Sequence, residues 1–222
     1  MRAGDIAEST VMELFKVNDY DCPVCRAVND ASIAWLASVL ADLLHNFESR
    51  EKLLHGGLCQ THRGKIVSLA RSTSDIGGLP VAMLLEEMLE RQLKALENSG
   101  KRRFFRKNNK THSKTCYLCS FEKETEMRYI IALQSAFRKA EFRRAYEETS
   151  RIICIDHSVM ILGRLTATEW FKEIQKKKYR FMLTQLGHYI SKHDYRNKEP
   201  FGEEALFWKI ATKLTGEIET KG

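Results

Sequence analysis

The six cysteines of this chain belong to motifs that together have the composition of metal sites. The first half contains a CxxC and a CxxH separated by 33 residues; the second half contains a CxxC and a CxxH separated by 34 residues. The residues are Cys22, Cys25, Cys59, His62, Cys116, Cys119, Cys154 and His157. Three thiolates and one imidazole are a ligand set that holds structural zinc in tetrahedral geometry. The sequence therefore predicts two Cys₃His metal sites.

The two halves have the pattern of an internal repeat. The CxxC motifs are offset by 94 residues and the CxxH motifs by 95, and Phe47 and Phe142 each lie 12 residues before a CxxH cysteine. If a long helix leads away from the CxxC and a short helix leads back toward it, the CxxC and CxxH of one copy come together. We therefore expect each copy to hold one ion with its own four ligands. Four protein ligands leave no open coordination position, which favours structural over catalytic zinc.

Other uses of these residues stay open at this stage. An iron–sulfur cluster is an alternative to zinc, although four cysteines are its commoner ligand set. Disulfides would need an oxidising compartment and would not explain two histidines in register. Buried free thiols are a further alternative. His55 and His112 each lie four residues before a motif cysteine and are alternative ligands.

Helical patterns predominate among the elements that must position these motifs, so we predict an all-α fold. The patterns predict helices over 5–17, 23–45, 59–69, 81–96, 118–148 and 203–214, with a further helix from the capping box at 166–169 to about 189. Pro23 suits the first position of a helix. The predicted organisation is an N-terminal helix (1–18), a first unit (19–99), a linker (100–115), a second unit (116–193) and a C-terminal motif with its helix (194–222).

The net charge of +7 comes from one short segment. The segment 101–114 contains seven Lys and Arg residues and no acid, and the remaining 29 basic residues equal the 29 acidic ones. The body of the protein is thus formally neutral, and a general polyanion-binding surface is not implied. We interpret the segment as a solvated linker, which is the one place where nucleic acid would bind.

The distribution of apolar residues predicts a cytoplasmic protein without a membrane span. The most apolar run, 31–44, is interrupted by Ser38 and Asp42 and is shorter than the roughly 20 residues that a span needs. The N-terminus has early acids and no apolar signal region, so no export signal is expected.

A second group of ionisable side chains lies near the C-terminus, in residues 188–204. His193, Asp194, Arg196, Glu199 and Glu204 could perform acid–base chemistry or bind a charged ligand. The alternative is a connection between helices, in which Pro200 and Gly202 shape the turn and Arg196 pairs with a carboxylate. His45 lies on an apolar stripe and is interpreted as a core or boundary residue.

The paired motifs and the tail together resemble a family of bacterial and archaeal proteins known only as a domain of unknown function. Its members look like tandem CxxC and CxxH units followed by a stretch similar to KxDYR–x–x–EPxGxExxxW. In the tail the matching residues are Lys192, Asp194, Tyr195, Arg196, Glu199, Pro200, Gly202, Glu204 and Trp208. The aromatic expected after the arginine is Asn197 here. The resemblance covers nearly the whole chain and implies no activity.

The sequence therefore predicts a zinc-binding helical protein with two ions, acting as a non-enzymatic binding or adaptor protein for an unknown protein or ligand. No Walker loop, dinucleotide fingerprint or nucleophile elbow is present. An iron–sulfur or thiol-based redox sensor is the first alternative. An enzyme with its site in 188–204 is the second.

Overall fold

The computed structural model describes residues 3–17, 19–43, 46–73, 76–99, 116–163 and 168–216. Within these ranges the chain forms ten α-helices and one 3₁₀ turn, and no strand, so the prediction of an all-α fold is confirmed. The helices are α1 (Ala3–Lys16), α2 (Pro23–Ala41), α3 (Phe47–Gly56), α4 (Gln60–Ser72), α5 (Leu79–Ser99), α6 (Tyr117–Ala136), α7 (Ala140–Glu148), α8 (Ile155–Leu162), α9 (Thr168–Lys192) and α10 (Phe207–Leu214); the 3₁₀ turn is Glu203–Leu206. The basic segment 101–114, which includes His112, lies outside these ranges, as does His45.

The single helix predicted over 118–148 is wrong, because the chain turns between α6 and α7. Phe137 is buried and ends the first helix, and the Arg143 Nε–H donates to the Phe137 carbonyl oxygen at 2.6 Å. The turn directs Phe142 and Tyr146 of α7 into the core. Apolar residues recur at helical spacing on both sides of the turn, so the sequence pattern did not indicate that the helix ends there.

The helix predicted over 23–45 is likewise shorter than expected. It ends at Ala41, and a separate helix, α3, follows. Asn46 caps α3, because its side-chain oxygen accepts from the Ser49 backbone N–H at 3.2 Å. The order of elements after each CxxC is the same in both halves: a long helix, a short helix, a helix preceded by a CxxH cysteine and another long helix.

The packing of the chain defines two compact units that do not coincide with the sequence repeats. Unit 1 consists of residues 1–28 and 126–222, and unit 2 consists of residues 29–125. Helices α2 and α6 each begin in one unit and end in the other, since α2 enters unit 2 at Asn29 and α6 enters unit 1 at Glu126. The start of α2 therefore belongs to unit 1 and the start of α6 to unit 2.

Each unit has its own hydrophobic core. In unit 1 the core is aromatic: Phe15, Phe137, Tyr146 and Phe171 are buried, with ring centroids 5.4–6.2 Å apart in the contacting pairs. In unit 2 the core is aliphatic, and its fully buried members are Leu36, Leu40, Leu53, Leu84 and Leu118. Both cores include cysteines of the motifs, so the candidate ligands are part of the packed interior.

One described helix, α2, is long and apolar enough to cross a membrane by length and composition alone. This is weak evidence for a span, because core helices of soluble proteins have the same properties. Leu36, Val39 and Leu40 of this helix are buried in the unit 2 core.

Candidate metal centres

The cysteine and histidine motifs form two clusters, one in each unit. The unit 1 cluster consists of Cys22, Cys25, Cys154 and His157, and the unit 2 cluster consists of Cys59, His62, Cys116 and Cys119. In each cluster the four candidate ligand atoms all lie within 4.8 Å of one another. Each group could hold one metal ion, and together they use all eight residues that the sequence analysis selected.

Our expectation that each repeat holds an ion with its own four ligands is wrong. The structure groups the CxxC of the first half with the CxxH of the second, and the CxxC of the second half with the CxxH of the first. Helix lengths explain the exchange. The 19 residues of α2 advance the chain by about 28 Å, and the 10 residues of α3 span only about 15 Å, which is too short to reverse that advance. The first CxxH thus remains with the far end of α2, in unit 2.

The arrangement of donor atoms within each cluster fits a tetrahedral ion. His157 Nδ1 lies 3.0 Å from Cys154 Sγ and 3.5 Å from both Cys22 Sγ and Cys25 Sγ. The sulfurs of Cys25 and Cys154 are 3.8 Å apart. A tetrahedron with Zn–S near 2.3 Å and Zn–N near 2.0 Å has edges of about 3.8 Å between sulfurs and about 3.5 Å between sulfur and nitrogen.

The unit 2 cluster has nearly the same dimensions. His62 Nδ1 is 3.1, 3.4 and 3.5 Å from the sulfurs of Cys59, Cys116 and Cys119, and the sulfurs of Cys59 and Cys119 are 3.8 Å apart. A disulfide would need about 2.05 Å between sulfurs. All six cysteines are free thiols in the structure.

Local structure explains how each motif presents its ligands. Cys22 and Cys116 immediately precede α2 and α6, so that Cys25 and Cys119 lie in the first turn of the same helix. Cys59 and Cys154 are the N-cap residues of α4 and α8, and the histidine three residues later lies one turn into the helix. Backbone N–H groups at a helix start favour the thiolate form of a nearby cysteine.

The thiols of a cluster do not ionise independently. In unit 1 the thiols of Cys154 and Cys25 hold the pKa of Cys22 far below its ordinary value, and Cys154 and Cys22 hold that of Cys25 far above. In unit 2 burial and the neighbouring thiol of Cys59 raise the pKa of Cys119 to about 12. Without a bound cation, only some of the three thiols in each cluster therefore carry the negative charge. A bound divalent cation supplies the charge that allows three thiols to ionise together.

One family model describes most of the chain. It matches residues 2–205 and is described as a family of unknown function, DUF6062. The chain belongs to this family. The predicted resemblance to a family of unknown function is therefore confirmed, and the tandem cysteine motifs are consistent with the two clusters. No curated protein and no solved structure matches the chain.

A buried hydrogen-bond network holds the segment that leads into Cys154. The Tyr146 hydroxyl donates to Gln175 Oε1 at 2.8 Å and accepts from the Ile153 backbone N–H at 3.1 Å. The Gln175 amide and the Tyr179 hydroxyl donate to the Ile153 carbonyl oxygen at 3.0 and 3.2 Å. Both backbone groups of the residue before Cys154 are thereby fixed by side chains of α7 and α9.

We expect Tyr146→Phe in this family member to lower the free energy of unfolding by about 1–3 kcal/mol, because the Ile153 N–H and Gln175 Oε1 lose a buried partner. Chemical denaturation of the metal-loaded protein measures the change. Tyr195→Phe removes a hydroxyl from a side chain that is 84% exposed and is the matched control. Equal stability of both variants would show that the network contributes nothing.

Two residues near the clusters were missed by the sequence analysis. Glu122 Oε2 lies 2.9 Å from His62 Nε2, and Glu126 Oε1 lies 2.8 Å from His157 Nε2. The sequence contains a hint of both residues, because Glu122 and Glu126 follow Cys119 by three and seven residues and so share its face of the helix.

The ionisable residues of the tail are tied to one another in a turn that follows α9. Lys192 Nζ donates to the Pro200 carbonyl oxygen and to Glu204 Oε1, each at 2.9 Å, and Glu204 Oε1 also accepts from the Gly202 N–H at 2.6 Å. A Cβ at position 202 would lie 2.9 Å from Glu204 Oε2, so a larger residue there would displace that carboxylate. Arg196 makes a two-pronged ion pair with Asp194.

The tail histidine predicted as a candidate for acid–base chemistry, His193, packs between aromatic rings. Its ring centroid lies 4.6 Å from that of Tyr189 and 4.9 Å from that of Phe201. The Glu199 and His188 side chains are exposed. The structure thus pairs Asp194 with Arg196 and Glu204 with Lys192 in a helix-to-helix connection.

The turn should respond to acid in a defined way. The Gly202 N–H and the Lys192 ammonium hold the pKa of Glu204 down to about 2, whereas the pKa of a glutamate in an unfolded chain is about 4.3. The stabilisation is complete above about pH 4.3 and is lost as the pH falls through about 2. We expect Glu204→Gln to lower the melting temperature at pH 7, and the difference from the parent to shrink at pH 3. Glu199→Gln is the control, and a pH-independent difference would contradict the assignment.

Proposed function

We propose that this protein is a non-enzymatic binding or adaptor protein in which two zinc ions stabilise the helical fold. The observation that carries the proposal is the ligand geometry: each cluster gathers three sulfurs and one imidazole nitrogen within 4.8 Å of one another, as a tetrahedral site requires. Four protein donors fill the coordination of zinc and leave no position for substrate. The four ligands thereby exclude catalysis at the ion. The contribution of the ion is to join the CxxC and CxxH motifs within each unit.

The donor set supports zinc over other metals. Thiolate and imidazole ligands in tetrahedral arrangement suit zinc, and the mixed Cys₃His set is less common for iron–sulfur clusters. Elemental analysis of protein purified without added metal tests this directly. We expect about two zinc ions per chain and no visible absorption band.

The surface of the tail supports a binding role. Tyr195, Phe201 and Trp208 are large aromatic residues with exposed side chains, and aromatic residues are enriched at protein interfaces. We propose that the partner is a protein or ligand in the cytoplasm. Contact with nucleic acid is proposed only through the basic segment 101–114, and deletion of 101–110 would then abolish polyanion binding and its salt dependence.

A redox or iron–sulfur sensor is the alternative that one observation favours. Cys25 is exposed and Cys59 and Cys119 are partly exposed, so an oxidant could reach a thiolate of either cluster. A brown protein that contains iron would support this alternative over zinc. The second alternative, an enzyme with its site in 188–204, would be supported by an Asp194→Asn variant that folds normally but loses a cellular phenotype.

A further inference from the structure

The imidazole of each cluster lies between the sulfur atoms and a carboxylate. His157 Nδ1 is 3.0–3.5 Å from the three sulfurs of the unit 1 cluster, and its Nε2 is 2.8 Å from Glu126 Oε1. In unit 2, His62 Nδ1 lies in the same way toward its sulfurs, and its Nε2 is 2.9 Å from Glu122 Oε2, although this nitrogen is not aligned for a hydrogen bond as that of His157 is. Both rings therefore turn the same nitrogen toward the ligand set.

A carboxylate in this position has a defined effect on a metal ligand. An imidazole that binds metal through Nδ1 carries its proton on Nε2, and a carboxylate that accepts this proton in a hydrogen bond fixes both the tautomer and the ring orientation. The negative charge also makes Nδ1 a stronger donor. Both histidine rings are buried, and both carboxyl groups are partly buried, which strengthens such an interaction relative to one in water.

Both carboxylates come from one helix, although the histidines belong to different units. Glu122 lies in the part of α6 that belongs to unit 2, and Glu126 lies in the part that belongs to unit 1. The corresponding positions of α2, three and seven residues after Cys25, are Val28 and Ser32, which carry no charge. The sequence similarity of the two halves thus does not extend to these residues. Helix α6 therefore places a carboxylate beside the histidine of each cluster, whereas the corresponding positions of α2 carry none.

We propose that Glu126 and Glu122 are positioning residues that act on the metal through His157 and His62, Glu126 by its hydrogen bond to the ring and Glu122 by its charge beside the ring, so that α6 contributes to the affinity of both sites. This inference rests on the proposed function, because it requires that the clusters hold metal. Lys65 Nζ also lies 2.7 Å from Glu122 Oε1 and holds that carboxylate from its other oxygen.

The test compares E122Q and E126Q with E124Q, in which the same charge is removed from an exposed residue of the same helix. Zinc is titrated out of the full-length protein with a chromophoric chelator. We expect E126Q to weaken the binding of one ion by roughly 10–100-fold, E122Q to weaken the binding of the other ion by less, and E124Q to leave both ions unchanged. The double variant is expected to weaken both ions.

Cobalt substitution separates positioning from simple stabilisation. If the glutamates act through the histidines, the ligand-field bands of cobalt-loaded E126Q shift relative to the parent and E124Q. Lower melting temperatures with unchanged zinc affinity and unchanged cobalt bands would overturn the inference and leave the two-site proposal intact. A parent protein that binds no metal would instead overturn the proposed function, and this inference with it.

Discussion

Replacing Cys22 and Cys59 together is expected to remove both metal ions from the protein, whereas replacing Cys22 and Cys154 together should remove one. Cys22 belongs to the unit 1 cluster and Cys59 to the unit 2 cluster, so the first pair damages both sites. Cys22 and Cys154 belong to the same cluster, and the second pair leaves the other site complete. Serine is a poor substitute for a thiolate ligand of zinc. Metal content per chain should fall from about two to about none in the first variant, and to about one in the second.

The opposite result would support the pairing of CxxC and CxxH motifs within each repeat that the sequence predicted. If each repeat held its own ion, Cys22→Ser with Cys59→Ser would lose one ion, and Cys22→Ser with Cys154→Ser would lose two. The four single Cys→Ser variants of Cys22, Cys59, Cys116 and Cys154 are the controls, and each should lose one. Metal content and thermal unfolding are measured on the same samples, so that a variant that fails to fold is recognised.

Removal of the metal is expected to cause the largest loss of stability. An ion that binds only the folded state and is present at 1,000 times its Kd raises the free energy of unfolding by about 4 kcal/mol. For a domain of 150–250 residues this corresponds to a melting temperature about 8–16 °C higher. Metal stripping with a chelator under reducing, oxygen-free conditions should therefore lower the melting temperature by roughly that amount or more. Addition of two equivalents of zinc should restore it.

The burial of the ligands is the reason for this expectation. Cys22, Cys154 and His157 lie in or beside the unit 1 core, and Cys116 and His62 lie in or beside that of unit 2. Without an ion, each unit must keep several thiols and an imidazole packed together without a counter-charge. An unchanged melting temperature in protein shown by elemental analysis to be free of metal would contradict a structural role.

The spacing of the motifs predicted the ligands, because CxxC and CxxH at helix starts place side chains on one turn regardless of the remaining fold. The spacing did not predict which motifs meet. That depends on the lengths of α2 and α3, and α3 was not distinguished from its neighbours because no proline or glycine separates it from α2. The ends of α2 at Ala41 and of α6 at Ala136 depend on tertiary packing and on the Asn46 cap.

The two glutamates show a different limit. Charged residues on a helix face are common, and although Glu122 and Glu126 share the helix face of Cys119, that spacing alone does not identify a partner for them. Only the position of the histidine rings gives them a role. The tail motif lies between these cases, because the connection between helices that the sequence allowed around Pro200 and Gly202 joins α9 to the 3₁₀ turn, while the pairing of Lys192 with Glu204 depends on three-dimensional structure.

X-ray absorption at the zinc edge, combined with metal analysis, tests the central claim most directly. The protein is purified without oxygen and without added metal. We predict about two zinc ions per chain, each with three sulfur neighbours near 2.3 Å and one nitrogen near 2.0 Å. Protein without metal, or zinc surrounded mainly by oxygen and nitrogen, would contradict the assignment of the two clusters as structural Cys₃His sites.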